Sequence, residues 1–257
     1  MSATAERYLD GKVALVTAGS RNLGAAIAIA LAERGAVVAV NYHTSAVLAE
    51  RLIDSLSTVR GTHLAVQGDA STPAGMRSLL RDTSRQLGGR EIQVLVNNYG
   101  PFAMTPFAEM PEGEWDRIWT ANVKTAYVAA KEAAPGMRKL RWGRIINVSA
   151  ASAYLRNHSI YTLAKASLLT LTESLAVELG PEINVNAITP GQIAESAEDV
   201  AEFDPSFVER AIDHTPLGRL VTRREVAAVV AELCGPLFAG VTGITIPIDG
   251  GWQLPRF

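Results

Sequence analysis

Short runs of β-branched and aliphatic residues alternate with longer stretches of helical periodicity along almost the whole chain. Residues 12–17, 36–41, 63–66, 94–97, 144–149, 184–188 and 243–248 are apolar on both faces and predict strands. Between them, 23–34, 45–56, 73–87, 112–139, 159–179 and 221–233 carry apolar positions three and four apart and predict helices. Gly35 ends the first helix, Pro73 opens the third, and Pro135-Gly136 is expected to kink or break the long one. Strands hidden on both faces and spaced by helices predict a parallel sheet covered on both sides. Right-handed crossovers then give a doubly wound, seven-stranded, Rossmann-like α/β sheet. No linker, repeat or low-complexity tract divides residues 1–257, so a single domain is expected. The stretch 192–216 breaks the rhythm: it is acidic, holds Pro205 and Pro216, and has only weak helical periodicity. It reads as a lid over a substrate or as a surface excursion.

Composition narrows the functional classes. A net charge of −2 offers no general attraction to nucleic acid or to anionic lipid. No apolar run reaches the ~18 residues a membrane-spanning helix needs. The single cysteine, Cys234, excludes an intrachain disulfide and any multi-cysteine metal site. His43, His63, His158 and His214 show no ligand spacing, so no metal is expected. Glu6, Arg7 and Asp10 stand where a secretory signal would be apolar, so a cytoplasmic location is expected.

The chemistry concentrates in Tyr161 and Lys165, four residues apart and so on one face of a helix. An ammonium beside a phenol favours the phenolate and is expected to draw the tyrosine towards the range of a general acid–base catalyst. After the first strand, Thr17-Ala18-Gly19-Ser20-Arg21-Asn22-Leu23-Gly24 forms a strand-to-helix turn of the kind that cradles a pyrophosphate at a helix N-terminus. Only Gly19 and Gly24 in it are glycines, so the pattern by itself is weak. The second strand ends Asn41-Tyr42-His43-Thr44-Ser45, and the first acid is Glu50. With no carboxylate there to accept from a ribose 2′-hydroxyl, and with Arg21 able to meet a 2′-phosphate, NADP(H) is the expected cofactor.

Together with Asp69-Ala70, Asn97-Asn98-Tyr99-Gly100, Asn122, Ser149, Pro190-Gly191 and Asp249-Gly250-Gly251, these residues resemble the short-chain dehydrogenase/reductase family from Lys12 to Trp252. The resemblance implies that Asp69 and Ala70 hold the adenine, and that Asn98 and Gly100 line the ribose and pyrophosphate. Lys165 would bind the nicotinamide ribose and depress the tyrosine pKa, while Pro190, Gly191 and Ile193 meet the carboxamide. Tyr161 would protonate a carbonyl oxygen as hydride arrives, and Asn122 would order a water linking Lys165 to solvent. It also implies a homodimer or homotetramer, formed through the Tyr161 helix and the last strand. The stripe Leu168, Leu171, Leu175 and Leu179 fits either core or interface.

The chain departs from the family pattern in several places. Ala18 and Asn22 stand where glycines are usual, and Asn tolerates the left-handed geometry that the turn requires. Tyr99 replaces a small residue and is expected to narrow the nicotinamide side. Glu195 stands where a threonine often contacts the cofactor, and is tolerable there only if turned outward, with Ser196 taking over the contact. The usual serine slot falls on Ala150, so a second hydroxyl is expected from Ser149, which is favoured, or from Ser152; if neither reaches, Tyr161 acts without a second donor. Tyr99, Pro101, Phe102, residues 151–158 and residues 192–216 are expected to border the substrate, with Tyr99, Phe102 and Tyr154 as an aromatic wall. Arg156 and His158 are placed to meet an anionic group or solvent.

Within the family the chain resembles 3-oxoacyl-carrier-protein reductases and, less closely, pteridine reductases. The function expected first is an NADPH-dependent carbonyl reductase acting on a small, acyl or polycyclic ketone. A specialised relative reducing a ketone or catalysing a non-redox cyclisation, and a non-catalytic NADP(H)-binding sensor or scaffold, are the alternatives.

Overall fold

The computed structural model describes residues 6–59, 61–154, 159–201 and 206–254, the backbone alone for 198–201. Its strands are β1 (Val13–Val16), β2 (Val37–Tyr42), β3 (Leu64–Gln67), β4 (Val94–Asn97), β5 (Gly143–Val148), β6 (Ile183–Pro190) and β7 (Thr245–Ile248). They form one sheet in the order β3-β2-β1-β4-β5-β6-β7, with every pairing parallel. The helices are α1 (Asn22–Glu33), α2 (Ala46–Ser55), α3 (Pro73–Gln86), α4 (Glu112–Trp119), α5 (Thr125–Lys139), α6 (Ile160–Leu179), α7 (Ala194–Ala201), α8 (Phe207–Asp213) and α9 (Arg223–Leu233).

Two apolar layers hold the helices to the sheet. On one face Ile27 and Leu31 of α1 and Val226 and Val230 of α9 pack on Val16 and Val40. On the other, Met76 and Leu79 of α3, Val128 and Met137 of α5, and Leu175 and Leu179 of α6 pack on Leu15 and Leu95. Each fully buried Leu, Ile or Val side chain stabilises the fold by ~1.5–3 kcal/mol. The α6 stripe is core: Leu168, Leu175 and Leu179 are buried and Leu171 packs against the same layer. The exposed apolar residues of α6 are instead Leu163 and Val177.

The long helix of 112–139 is interrupted elsewhere than the sequence suggested. Pro135 lies inside α5 without ending it. The break comes at Thr120–Lys124, a π-helical turn between α4 and α5. There Asn122 donates through Nδ2 to the carbonyls of Ile118 (3.0 Å) and Pro101 (3.1 Å), and Thr125 donates to that of Ala121 (2.8 Å). These side chains serve backbone carbonyls around a locally widened ladder, and such turns recur at functional sites.

The stretch 192–216 holds α7 and α8, too weakly periodic to be predicted. Ala197, Ala211 and Leu220 form a small apolar cluster with Phe207 and Ile212, separate from the two main layers. Among the described residues no helix is long and apolar enough to cross a membrane.

Candidate active site

The strand order reverses between β1 and β4, and the crevice beyond the carboxyl ends of these strands is where such sheets bind ligands. Thr17 ties the two ends together. Its buried hydroxyl donates to the carbonyl of Val96 (3.3 Å) and accepts from the backbone N–H groups of Asn98 and Tyr99, both at 2.9 Å. Asn98 returns the link, donating through Nδ2 to the carbonyls of Thr17 (3.0 Å) and Ala18 (3.3 Å).

The turn that follows has the shape expected of it. Ala18 and Asn22 take φ of +49° and +50°, the left-handed region. Gly24 packs so closely that a Cβ there would collide with the carbonyl of Ala18. The N-cap of α1 is Arg21, exposed, with no side-chain cap and no acidic residue in the first turn. Ser20 and Leu23 flank it, buried and half-buried. An uncapped helix N-terminus beneath a close-packed turn suits a pyrophosphate.

Asn41 is a brace. Its Oδ1 accepts from the Ala18 N–H (3.0 Å), and its Nδ2 faces the carbonyls of Tyr42 (3.2 Å), Val66 (3.3 Å) and Gly68 (3.0 Å). Its side chain therefore shapes the turn instead of reaching a ribose, a correction to its expected contact. Beyond it Tyr42 is half-buried, His43 exposed and Ser45 half-buried at the start of α2.

At the adenine end, Asp69 accepts from the N–H (2.9 Å) and hydroxyl (2.6 Å) of Ser71. Burial works to raise its carboxyl pKa, but Ser71, His43 and Thr72 outweigh it and hold the group below its ordinary value. Ala70 beside it is buried. Tyr99 turns to this end and not to the nicotinamide side. Its ring packs on the α3–α5–α6 layer, and burial first, then Asp69, push its phenol pKa up, with Ser71 and Arg117 opposing. The aromatic wall is thereby reduced to Phe102 and Tyr154. Arg156 and His158, expected to meet an anionic group or solvent, lie outside the described residues.

Tyr161 and Lys165 sit in the first two turns of α6, which Ser159 caps by accepting from the N–H of Thr162. Lys165 is 3% exposed and donates through Nζ to the carbonyl of Val148, at the end of β5 (2.9 Å). Its Nζ stands 5.6 Å from the centre of the Tyr161 ring. Burial brings the lysine pKa down to about 8 and pushes the tyrosine up to about 12. The expected lowering of the phenol pKa is thus absent in this structure, because desolvation governs both groups. Tyr161 is a protonated donor at neutral pH.

Asn122 and Lys165 close onto the backbone of Gly100. A Cβ there would run into Asn122 Oδ1 and stand 2.8 Å from Lys165 Nζ. Asn122 Oδ1 is buried and has no hydrogen-bond partner among the described residues. Only a glycine lets this unpartnered acceptor and this ammonium sit so close to the backbone of residue 100.

Ser149 is buried and donates to the carbonyl of Lys165 at 2.8 Å. Its one proton is committed there, which corrects the expectation that it points to substrate. On the far side, Gly191 donates to the carbonyl of Ile248 (2.9 Å), and a Cβ on it would lie 2.7 Å from that of Asp249. Pro190 ends β6, and Ile193 pairs with Val221. Glu195 turns outward: its carboxylate accepts from the N–H of Arg223 at the start of α9 (3.1 and 3.2 Å), while Arg223 Nη2 donates to the hydroxyl of Ser196 (3.0 Å).

A family model described as enoyl-(acyl carrier protein) reductase matches residues 17–253. The chain is 37% identical to a 3-oxoacyl-[acyl-carrier-protein] reductase of Pseudomonas aeruginosa, over 96% of this chain and 99% of that one. It is 33% identical to versicolorin reductase 1 of Aspergillus parasiticus, over 95% and 97%. Among solved structures it is similar to a short-chain dehydrogenase/reductase from Serratia marcescens (34% identity, 96% and 99% covered, TM-score 0.86). It is also similar to a metagenomic blue fluorescent protein in complex with NADPH (33% identity, 95% and 99% covered, TM-score 0.84). A further neighbour is a 7α-hydroxysteroid dehydrogenase complexed with NADH and 7-oxo glycochenodeoxycholic acid (29% identity, 98% of each chain, TM-score 0.89). The chain belongs to the short-chain dehydrogenase/reductase family, and it is an oxidoreductase.

Proposed function

We propose that this protein reduces a ketone with NADPH, using Tyr161 as the general acid. When bound, the nicotinamide supplies a hydride to the carbonyl carbon; the chain itself must hold the substrate and deliver a proton to its oxygen. The observation that carries this reading is the pair on α6: a half-buried phenol kept protonated by desolvation, with the Lys165 ammonium 5.6 Å from its ring centre. Negative charge develops on the oxygen as the carbon is reduced, and a donor already in place stabilises it most. The proton leaves the Tyr161 hydroxyl for that oxygen, giving an alcohol, and the phenolate left behind is stabilised by Lys165. Lys165 Nζ would hold the nicotinamide ribose, and Asn122 would order a water that links Lys165 to solvent.

Arg21 at the α1 N-cap, with no carboxylate among residues 41–45, supports NADP(H) over NAD(H). Phe102 supports an apolar, flat substrate. It is 61% exposed, and its ring stands edge-on to Tyr161 at 4.9 Å between centres, so an aromatic surface beside the acid is uncovered.

The test follows NADPH absorbance with a panel of aryl, polycyclic and acyl ketones, then repeats it with Tyr161→Phe. The variant should lose ~10²–10⁴-fold in kcat while still binding NADPH. Turnover indifferent to that substitution would remove Tyr161 from the mechanism. Tight NADPH binding with no ketone-dependent oxidation would favour a sensor.

A further inference from the structure

The developing alkoxide needs more than one donor, and the position the family uses for a second hydroxyl is Ala150 here. Ser149, next to it, has no proton to give, because that proton is held by the Lys165 carbonyl at 2.8 Å. The hydroxyl of Ser152 is in the opposite condition. It belongs to the 3₁₀ turn Ala151–Ala153, which continues β5 at the carboxyl edge of the sheet and packs on α6, the helix that carries Tyr161. Its Oγ is shielded from solvent and has no hydrogen-bond partner among the described residues.

A hydroxyl withdrawn from water and left unpartnered is unfavourable unless something else repays it. The neighbouring positions show how specific the placement is. Ala151 and Ser149 on either side of the slot are buried into the fold, whereas Ser152 is half-buried and Tyr154, one turn on, is exposed. Ser152 therefore lies in the turn that packs on the Tyr161 helix, with its hydroxyl turned into that contact and its backbone near the rim.

Resting on the reductase reading above, we infer that Ser152 is the second hydrogen-bond donor to the substrate carbonyl oxygen. The hydroxyl has moved two residues along the turn from the family slot, and Ser149 has become the brace that fixes the backbone of Lys165. Ser152 keeps its proton throughout: it donates a hydrogen bond to the oxygen, while Tyr161 transfers its own.

The experiment compares wild type, Ser152→Ala, Ser152→Thr and Ser152→Val with a ketone that the wild type reduces. NADPH fluorescence titration shows that each variant is folded and binds the dinucleotide. Loss of one such donor should lower kcat ~10²–10³-fold, with kcat/KM falling equally and NADPH affinity unchanged. Thr and Val have the same shape, so Thr should recover most of the rate and Val none, even if the smaller alanine loosens the turn. Ser152→Ala or Ser152→Val turning over like the wild type overturns the inference. A wild type that binds NADPH and reduces no ketone overturns the reductase reading, and this inference with it.

Discussion

Lys165 Nζ donates to the carbonyl oxygen of Val148 at 2.9 Å, so the ammonium is anchored to the last residue of β5 before any ligand arrives. That single hydrogen bond does not offset burial, which takes the pKa from its ordinary 10.5 down to about 8. The sign of the consequence is fixed. Between about pH 8 and about 10.5 the unfolded chain retains a proton that the folded chain has released, so stability rises with pH across this window. Tyr161, raised to about 12, gives the reverse slope only above its ordinary 10. Lys165→Met removes the first titration. Wild-type stability relative to this variant, from urea midpoints, should rise from about pH 7.5 to about pH 9.5. A constant difference would mean that the amine is effectively solvated.

Gly100 and Gly113 separate a glycine that the site requires from one that it does not. A methyl on Gly100 would push against Asn122 Oδ1 and Lys165 Nζ, whereas one on Gly113, in α4, would meet nothing within 4 Å. Gly100→Ala should weaken NADPH binding and lower kcat ~10²-fold or more, since a misplacement of about 1 Å at a reacting centre has effects of that size. Gly113→Ala should leave both unchanged and stabilise α4 by roughly 0.5–1 kcal/mol. Calorimetry and NADPH titration on the two proteins check the pair. Equal behaviour would show that the close approach of Asn122 and Lys165 to Gly100 does not matter to the site.

Much of the fold could be read from residues whose environment is uniform. Val13–Val16 and Val94–Asn97 are buried throughout, so their apolar runs had no other reading than internal strands. Asn22 adopts the left-handed turn its side chain tolerates. What escaped depends on where a side chain points within a turn. Periodicity does not distinguish a π-helical turn at Thr120–Lys124 from a kink at Pro135, because both interrupt the same apolar stripe. Ser149 and Ser152 are equivalent as letters, and only the carbonyl of Lys165 separates them. Tyr161 and Lys165 were correctly paired by spacing, but spacing carries no information on desolvation, which sets their pKa values here.

The turn at Ala18 stores strain that a substitution can release. At φ of +49° an alanine is disfavoured by ~1–2 kcal/mol, while glycine adds ~0.5–1 kcal/mol of unfolded-chain entropy. Ala18→Gly should therefore stabilise the protein by about 0.5 kcal/mol without altering NADPH affinity. Asn41→Ala should do the opposite. It leaves the Ala18 N–H and several carbonyls without their partner, a loss of ~2–3 kcal/mol. It should also weaken dinucleotide binding by loosening the turn. Urea unfolding with and without NADPH measures both effects, and a stable Asn41→Ala protein would contradict the role of the brace.

Arg21 supplies the last test, of cofactor choice. It is the exposed N-cap of α1, at the mouth of the turn, and no carboxylate lies among residues 41–45 to repel a 2′-phosphate. A charge-assisted hydrogen bond to a phosphate stabilises by ~1.5–3 kcal/mol, and exposure places this one at the lower end. Arg21→Ala should then weaken NADPH binding by about 10-fold and leave NADH binding unaltered. Added salt should narrow the gap between the two cofactors in the wild type and change it little in the variant, because an exposed contact is screened. Fluorescence titration of both nucleotides at low and high ionic strength decides the matter. If both affinities fall together, Arg21 shapes the turn and does not read the phosphate, and selection for NADP(H) must come from Tyr42, His43 or Ser45.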